Sequence, residues 1–186
     1  ALVAVFEIGD DVIVLPRFWI PRACPRDLRQ EPMATFVAEG LIELTEGNAT
    51  DIDAIYEAIR EWSALYTIKG IAIDPANARK QGQDLMSEGF AVTEFIQSKR
   101  SYNEPCRRLE QLLAEGRLKH GGNKVLRWMA SNAEVERNGL NQIMPKKRRS
   151  PEKIDGVCAM CMGIGISMTQ EQTPRSVYET RGLVFA

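Results

Sequence analysis

Two aspartates carry the chemistry this sequence is equipped for. Asp74 closes the run Lys69-Gly70-Ile71-Ala72-Ile73-Asp74-Pro75, in which small and apolar residues end in an acid and a proline. Such a run reads as a strand buried on both faces that stops abruptly. Its carboxyl edge is where open α/β sheets place ligands and metals. Pro75 has no N–H to donate and biases Asp74 towards an extended backbone, so the carboxylate projects from a fixed frame. The spacing also suits Asp74 as the N-cap of a helix starting at Pro75, and spacing alone leaves both roles open. Asp155 is the only acid in a body from Ile154 to Met168 that is apolar nearly all round, a pattern that predicts a buried helix. A carboxylate buried there is costly unless paired or bound to a cation, so Asp155 is expected to have a partner. Carboxylate oxygens select Mg2+ or Mn2+ rather than zinc. Two such ions serve the in-line displacement of a phosphodiester by water.

The charge pattern fits an anionic polymer. Through Pro75 there are 6 basic and 13 acidic residues; from Ala76 onward there are 18 and 12, and the two halves together give the net charge of -1. A basic half beside a carboxylate edge suits such a polymer better than a small neutral ligand, although solvated surface explains many such imbalances. Lys146, Lys147, Arg148 and Arg149 form the densest basic run, open to two readings, solvated surface or phosphate contact. His120 is the only histidine, and two glycines follow it, a setting more typical of a surface or capping residue than of a ligand. Cys158 and Cys161 have Cys-x-x-Cys spacing, but without a second pair and within an apolar helix they read as small core residues. Four cysteines in 186 residues are too few for a disulfide framework. No apolar run approaches the roughly 20 residues of a membrane span.

These residues need elements to position them. Leu2–Ile8 and Val12–Ile20 flank the turn Gly9-Asp10-Asp11 and predict a hairpin. Short helical and strand candidates follow at Met33–Glu39 and Leu41–Leu44. Thr50 with Asp53 reads as a capping pair for an amphipathic helix over Asp51–Tyr66, which feeds the Asp74 strand. A helix over Asn77–Ser87, a strand over Phe90–Phe95 and a helix opened by Asn103-Glu104-Pro105, with Cys106, Leu109, Leu112 and Leu113 inward, continue the alternation. Leu118–Gly122 is a short extended piece, Asn123–Ser131 a compact helix, and Asn138-Gly139 the turn of a second hairpin just before the basic run. Ser150 and Pro151 read as cap and first residue of the last helix. The expected fold is α/β, a mixed sheet with helices on both faces, forming one domain over 1–169 and a tail over 170–186. The chain opens directly in a strand, so it reads as a fragment of something longer.

The runs VLPRFWIP, IAIDPANA, LKHGGNKVLRWMASN, EKIDGVCAMCMGIG and SVYETRG together resemble the carboxy-terminal nuclease domain of tailed-phage terminase large subunits, in that family's order and over most of the chain. The resemblance implies a ribonuclease H-like fold and a two-metal endonuclease, dependent on Mg2+ or Mn2+, that cuts concatemeric double-stranded DNA during packaging in the cytoplasm of a bacterial host. It also implies an ATPase motor, a portal and a small terminase subunit as partners, and no membrane. Asp74 falls on the family's strand-end acid and Asp155 on its terminal-helix acid. Asn77, His120 and Asn123 lie in motifs typical of the family and are expected to line the site. The run from Lys146 to Arg149 matches the segment between hairpin and final helix, where DNA contact is expected.

One departure matters. The family's first catalytic acid lies on a strand just before the opening hairpin, and this sequence starts after that point; Asp10 and Asp11, in the hairpin turn, are poor substitutes. No Gly-x-x-x-x-Gly-Lys-Ser/Thr phosphate loop is present either. The expectation is a nuclease fold without its first strand, two of three metal-holding acids, impaired cutting, and an exposed sheet edge. A non-catalytic DNA-binding module and a docking module of the packaging machine are the alternatives.

Overall fold

The computed structural model describes residues 1–24, 28, 31–148 and 153–171. Strand β1 (Leu2–Ile8) pairs antiparallel with β2 (Asp11–Arg17), Val5 facing Val14 and Ile8 facing Asp11. At Phe18 the chain leaves this ladder; β3 (Trp19–Pro21) then pairs in parallel with β4 (Glu43–Thr45) beyond the short helix α1 (Met33–Ala38). Helix α2 (Ile52–Leu65) leads to β5 (Ile71–Ile73), helix α3 (Pro75–Ser87) and β6 (Val92–Glu94), with β5 and β6 parallel. Helix α4 (Lys99–Ala114) follows, then β7 (Leu118–Lys119), which joins β2 in parallel, and helix α5 (Lys124–Ser131). The antiparallel pair β8 (Ala133–Arg137) and β9 (Ile143–Lys147) precedes the last helix, α6 (Asp155–Glu171).

The strands form four separate ladders among the described residues rather than one continuous mixed sheet: β1-β2-β7, β3-β4, β5-β6 and β8-β9. The outer edge of β1 and the outer edge of β5 therefore both lack a partner strand among the described residues. Helix α6 packs on both of these strands as well as on α4 and α5, and so spans the gap between them. Strand alternation puts Val3 and Val5 towards α6 and Phe6 on the other face, where its ring meets Tyr66 at the end of α2, edge to face at 4.8 Å. Helix α6 thus covers one face of this ladder, and a groove lies between β1 and α2.

The apolar body of α6 is buried as its sequence predicts, with Val157, Met160, Cys161 and Ile164 in the core beside Leu112, Val125 and Ile143. Its glycines admit close neighbours. A Cβ at Gly163 would lie 2.6 Å from Val5 Cγ2, and one at Gly165 would lie 2.9 Å from the Pro105 ring.

Several expected boundaries move for physical reasons. Asp51, not Thr50, caps α2, its side chain accepting from the Asp53 N–H at 2.9 Å. Helix α4 starts six residues before Pro105, capped by Ser98, because the proline ring packs against α6 instead of opening the helix. Leu113 faces out at 58 % exposure, while Cys106, Leu109 and Leu112 are buried. Gly139 has no positive φ; the hairpin loop is organised by Asn138, whose Oδ1 accepts from the Leu140 and Gln142 N–H groups, with Asn141 left-handed at φ 58°. Strand β9 consequently runs on to Lys147, so Lys146 and Lys147 lie in the hairpin rather than after it. Ser150, Pro151 and the tail from 172 lie outside the described residues, and α6 starts at Asp155.

Candidate nuclease site

Asp74 ends β5 and caps the helix that follows. Its backbone is extended at the end of β5, and its side chain N-caps α3, Oδ1 accepting from the Ala76 N–H at 3.0 Å. Oδ2 accepts from Asn77 Nδ2 at 2.7 Å. The turn is compact: the Asp74 carbonyl accepts from the N–H groups of both Asn77 and Ala78, at 3.2 and 2.8 Å. Ala78 is non-helical at φ -133° and ψ 24°, so this first turn is offset from the rest of α3. Beyond it, α3 is tied to α2 by Tyr56 Oη donating to Asp84 Oδ2 at 2.9 Å and by the Arg60–Glu88 ion pair at 2.6 Å.

Asp155 contradicts the expectation of burial. It occupies the first turn of α6 and is exposed, because the helix begins there and its apolar faces lie beyond it. An acid in a first turn is favoured by the positive end of the helix dipole. Two buried contacts fix that helix end. The Gly156 N–H approaches Met129 Sδ at 3.2 Å, and Asn132 Nδ2, at the end of α5, donates to the Lys153 carbonyl at 3.2 Å. The Asn132 carbonyl accepts from the Arg148 N–H at 2.8 Å, so one buried asparagine joins the end of the hairpin to the start of α6. Only its place in the run WMASN marked Asn132, and composition gave no reason to single it out.

The two aspartates line one groove of about 880 Å³. It runs between the unpaired edges of β1 and β5, with Ile55, Ile59 and Trp62 of α2 and Met162 of α6 among its apolar walls. Asn77, Gln81, Gln97 and Cys158 add polar groups. Burial pushes the Cys158 thiol up to about 11, with Tyr102 pulling it down and Asp155 adding to the rise. Lys147 also lowers it, so the charge at the end of β9 is felt at this wall.

The other expected site residues go elsewhere. Asn123 caps α5, Oδ1 accepting from the Leu126 N–H at 2.8 Å. His120, half-buried, lines a second cavity of about 660 Å³ with Asn123, Lys119 and Lys124, apart from the aspartates. Its Nδ1 is buried and has no hydrogen-bond partner among the described residues. Lys146, Lys147 and Arg148 are exposed and do not line the groove; Arg149 lies outside the described residues. Asp10 and Asp11 face Arg117 and Lys119.

A family model described as "Terminase large subunit, endonuclease domain" matches residues 26–171, more than three quarters of the chain. The chain belongs to this family. The terminase large subunit of Enterobacteria phage HK97 is 28% identical over 171 residues, covering 89% of this chain and 34% of that protein. Protein YmfN of Escherichia coli (strain K12) is 27% identical over 168 residues, covering 86% and 37%. The crystal structure of the HK97 bacteriophage large terminase superposes with a TM-score of 0.79 at 27% identity, covering 88% of this chain and 36% of that one. This terminase nuclease domain thus spans about a third of the length of these relatives. It is a mixed α/β domain of the phage DNA-packaging nuclease family. No helix among its described residues is long and apolar enough to cross a membrane.

Proposed function

We propose that this terminase nuclease domain is a ribonuclease H-like endonuclease that cuts double-stranded, concatemeric phage DNA with the help of Mg2+ or Mn2+, with Asp74 and Asp155 holding the cation. The observation that carries this reading is that two carboxylates from separate elements line one groove. The donor set fits a hard divalent cation, because both groups offer carboxylate oxygen and Asp74 is already oriented by two hydrogen bonds. It fits weakly: no cluster of three His, Cys, Asp or Glu stands together among the described residues. With two carboxylates and no third ligand beside them among the described residues, the chain is expected to cut weakly.

A bound pair of divalent ions supplies activated water and a clamp on both oxygens of an in-line phosphodiester displacement. The chain's own residues do the rest. Asp74 presents its carboxylate from a rigid strand end, and Asp155 presents its own from a helix end fixed by Gly156 and Asn132. Lys146, Lys147 and Arg148 hold the phosphate backbone from the exposed hairpin strand, with Arg149 following. In the packaging machine the domain works beside the ATPase motor, the portal and the small subunit, in the cytoplasm of the infected bacterium.

Plasmid nicking with Mn2+ and Mg2+ tests the reading. This chain is expected to nick weakly, and Asp74→Asn or Asp155→Asn to abolish nicking. Inertness with both ions, or nicking that survives either substitution, would leave a DNA-binding or docking module instead. Salt-dependent DNA binding without any metal requirement is the signature of the binding module.

A further inference from the structure

Resting on the proposed metal site, we infer that Asn77 is a positioning residue that sets the plane of the Asp74 carboxylate for the cation. The geometry runs opposite to that of an ordinary helix cap. In a capping box the residue at the third helical position accepts a hydrogen bond from the N-cap backbone N–H, satisfying a helix-end donor. Asn77 occupies that position but donates, Nδ2 to Asp74 Oδ2 at 2.7 Å. Its side chain therefore satisfies no backbone donor of α3. That task already falls to Oδ1, which accepts from the Ala76 N–H at 3.0 Å. What the Asn77 amide adds is a second point of attachment, one on each carboxylate oxygen, which stops rotation about the Cβ–Cγ bond. Each oxygen keeps a lone pair free, and Asp74 and Asn77 both line the groove that holds Asp155. The offset at Ala78 strengthens the case: Pro75 to Asn77 form a turn apart from the body of α3, so its geometry serves the strand end. Groups that orient a metal ligand in this way act on affinity through the ligand.

The test is a Mn2+ titration of this chain, free ion being read by electron paramagnetic resonance, alongside thermal melts without metal. Asn77→Leu keeps the size of the side chain and removes the donor; Asp74→Asn is the control. Asn77 is exposed, so the fold does not depend on it. The expected result is Mn2+ binding weakened about 10-fold or more in Asn77→Leu, a melting midpoint close to the parent's, and binding abolished in Asp74→Asn. If Asn77→Leu titrates like the parent while Asp74→Asn loses the ion, the positioning role is overturned and the metal site stands. If the parent takes up no Mn2+, or Asp74→Asn takes it up equally well, the site itself fails and Asn77's role goes with it.

Discussion

Asp74 and Asp155 have the same functional group but reach the groove by different physical routes. Asp74 was legible because strand, acid and proline are adjacent, and each constrains its neighbour by local sterics. Asp155 was legible as a residue and misread as an environment. The apolar body that follows it predicts burial, but that body lies on one side of Asp155 along the helix axis, and exposure of a helix end is set by where the helix begins. Asn123 was legible only as part of a motif, since an asparagine before a short helix caps it without any ligand. Cys158, beside the site, gives a prediction at this scale. Burial raises its thiol to about 11 from an ordinary value of 9.0. A raised folded-state value means that the thiol form stabilises the fold fully below pH 9, a contribution lost as pH rises from 9 towards 11. Iodoacetamide should therefore leave Cys158 unmodified at pH 8, as read by peptide mass spectrometry, and label it increasingly towards pH 11. Labelling at pH 8 as fast as that of a free thiol would show that the Cys158 thiol is not raised.

Elements set the distances on which the residues depend. The alternation of strand and helix was readable from periodicity, because it is encoded locally. Partners were not. Pro105 inside α4 and the exposed Leu113 reflect packing against α6, whose glycine spacing is a long-range fact. Gly163→Ala tests that packing. The new Cβ would meet Val5 Cγ2 at 2.6 Å, and a valine in a strand has little rotamer freedom to yield. The substitution should cost about 1–3 kcal/mol, less the roughly 1 kcal/mol that alanine gains in helix propensity. Adding Val5→Ala should restore part of the loss in urea melts; an unchanged midpoint for Gly163→Ala alone would refute close packing of α6 on β1. The hairpin has its own tie, Lys99 Nζ to Glu136 Oε1 at 2.6 Å, which holds the Glu136 carboxyl below its usual range. A lowered value means the link is intact at neutral pH and lost as pH falls through the lowered folded-state value. Amide protection in β8 and β9, taken relative to the intrinsic exchange rate at each pH, should fall in acid before that of α6 does, and should be lower at neutral pH in Lys99→Met than in the parent.

The molecule as a whole is divided by its groove. β1 and β5 present unpaired edges to one cavity, and α6 bridges them from one face. The sequence carried the idea of an exposed edge but not its form. One sheet was expected, and the described strands instead make separate ladders flanking a gap, because backbone pairing is satisfied only where a neighbour exists. Open edges of this kind template association. Sedimentation velocity on this chain should show concentration-dependent association; a strictly monomeric chain at all concentrations would mean that the edges are shielded. The charge asymmetry belongs to this scale as well, and the exposed Lys146, Lys147 and Arg148 place its densest run at the end of β9.

The central claim is that Asp74 and Asp155 hold a cation between them. Anomalous diffraction at the manganese edge, from crystals of this chain grown with Mn2+, tests it most directly. The account predicts a peak in the groove within coordination distance of both carboxylates, lost in Asp74→Asn crystals. Manganese bound only at other acids, such as Asp10 in its hairpin turn, or at Asp155 alone, would contradict it.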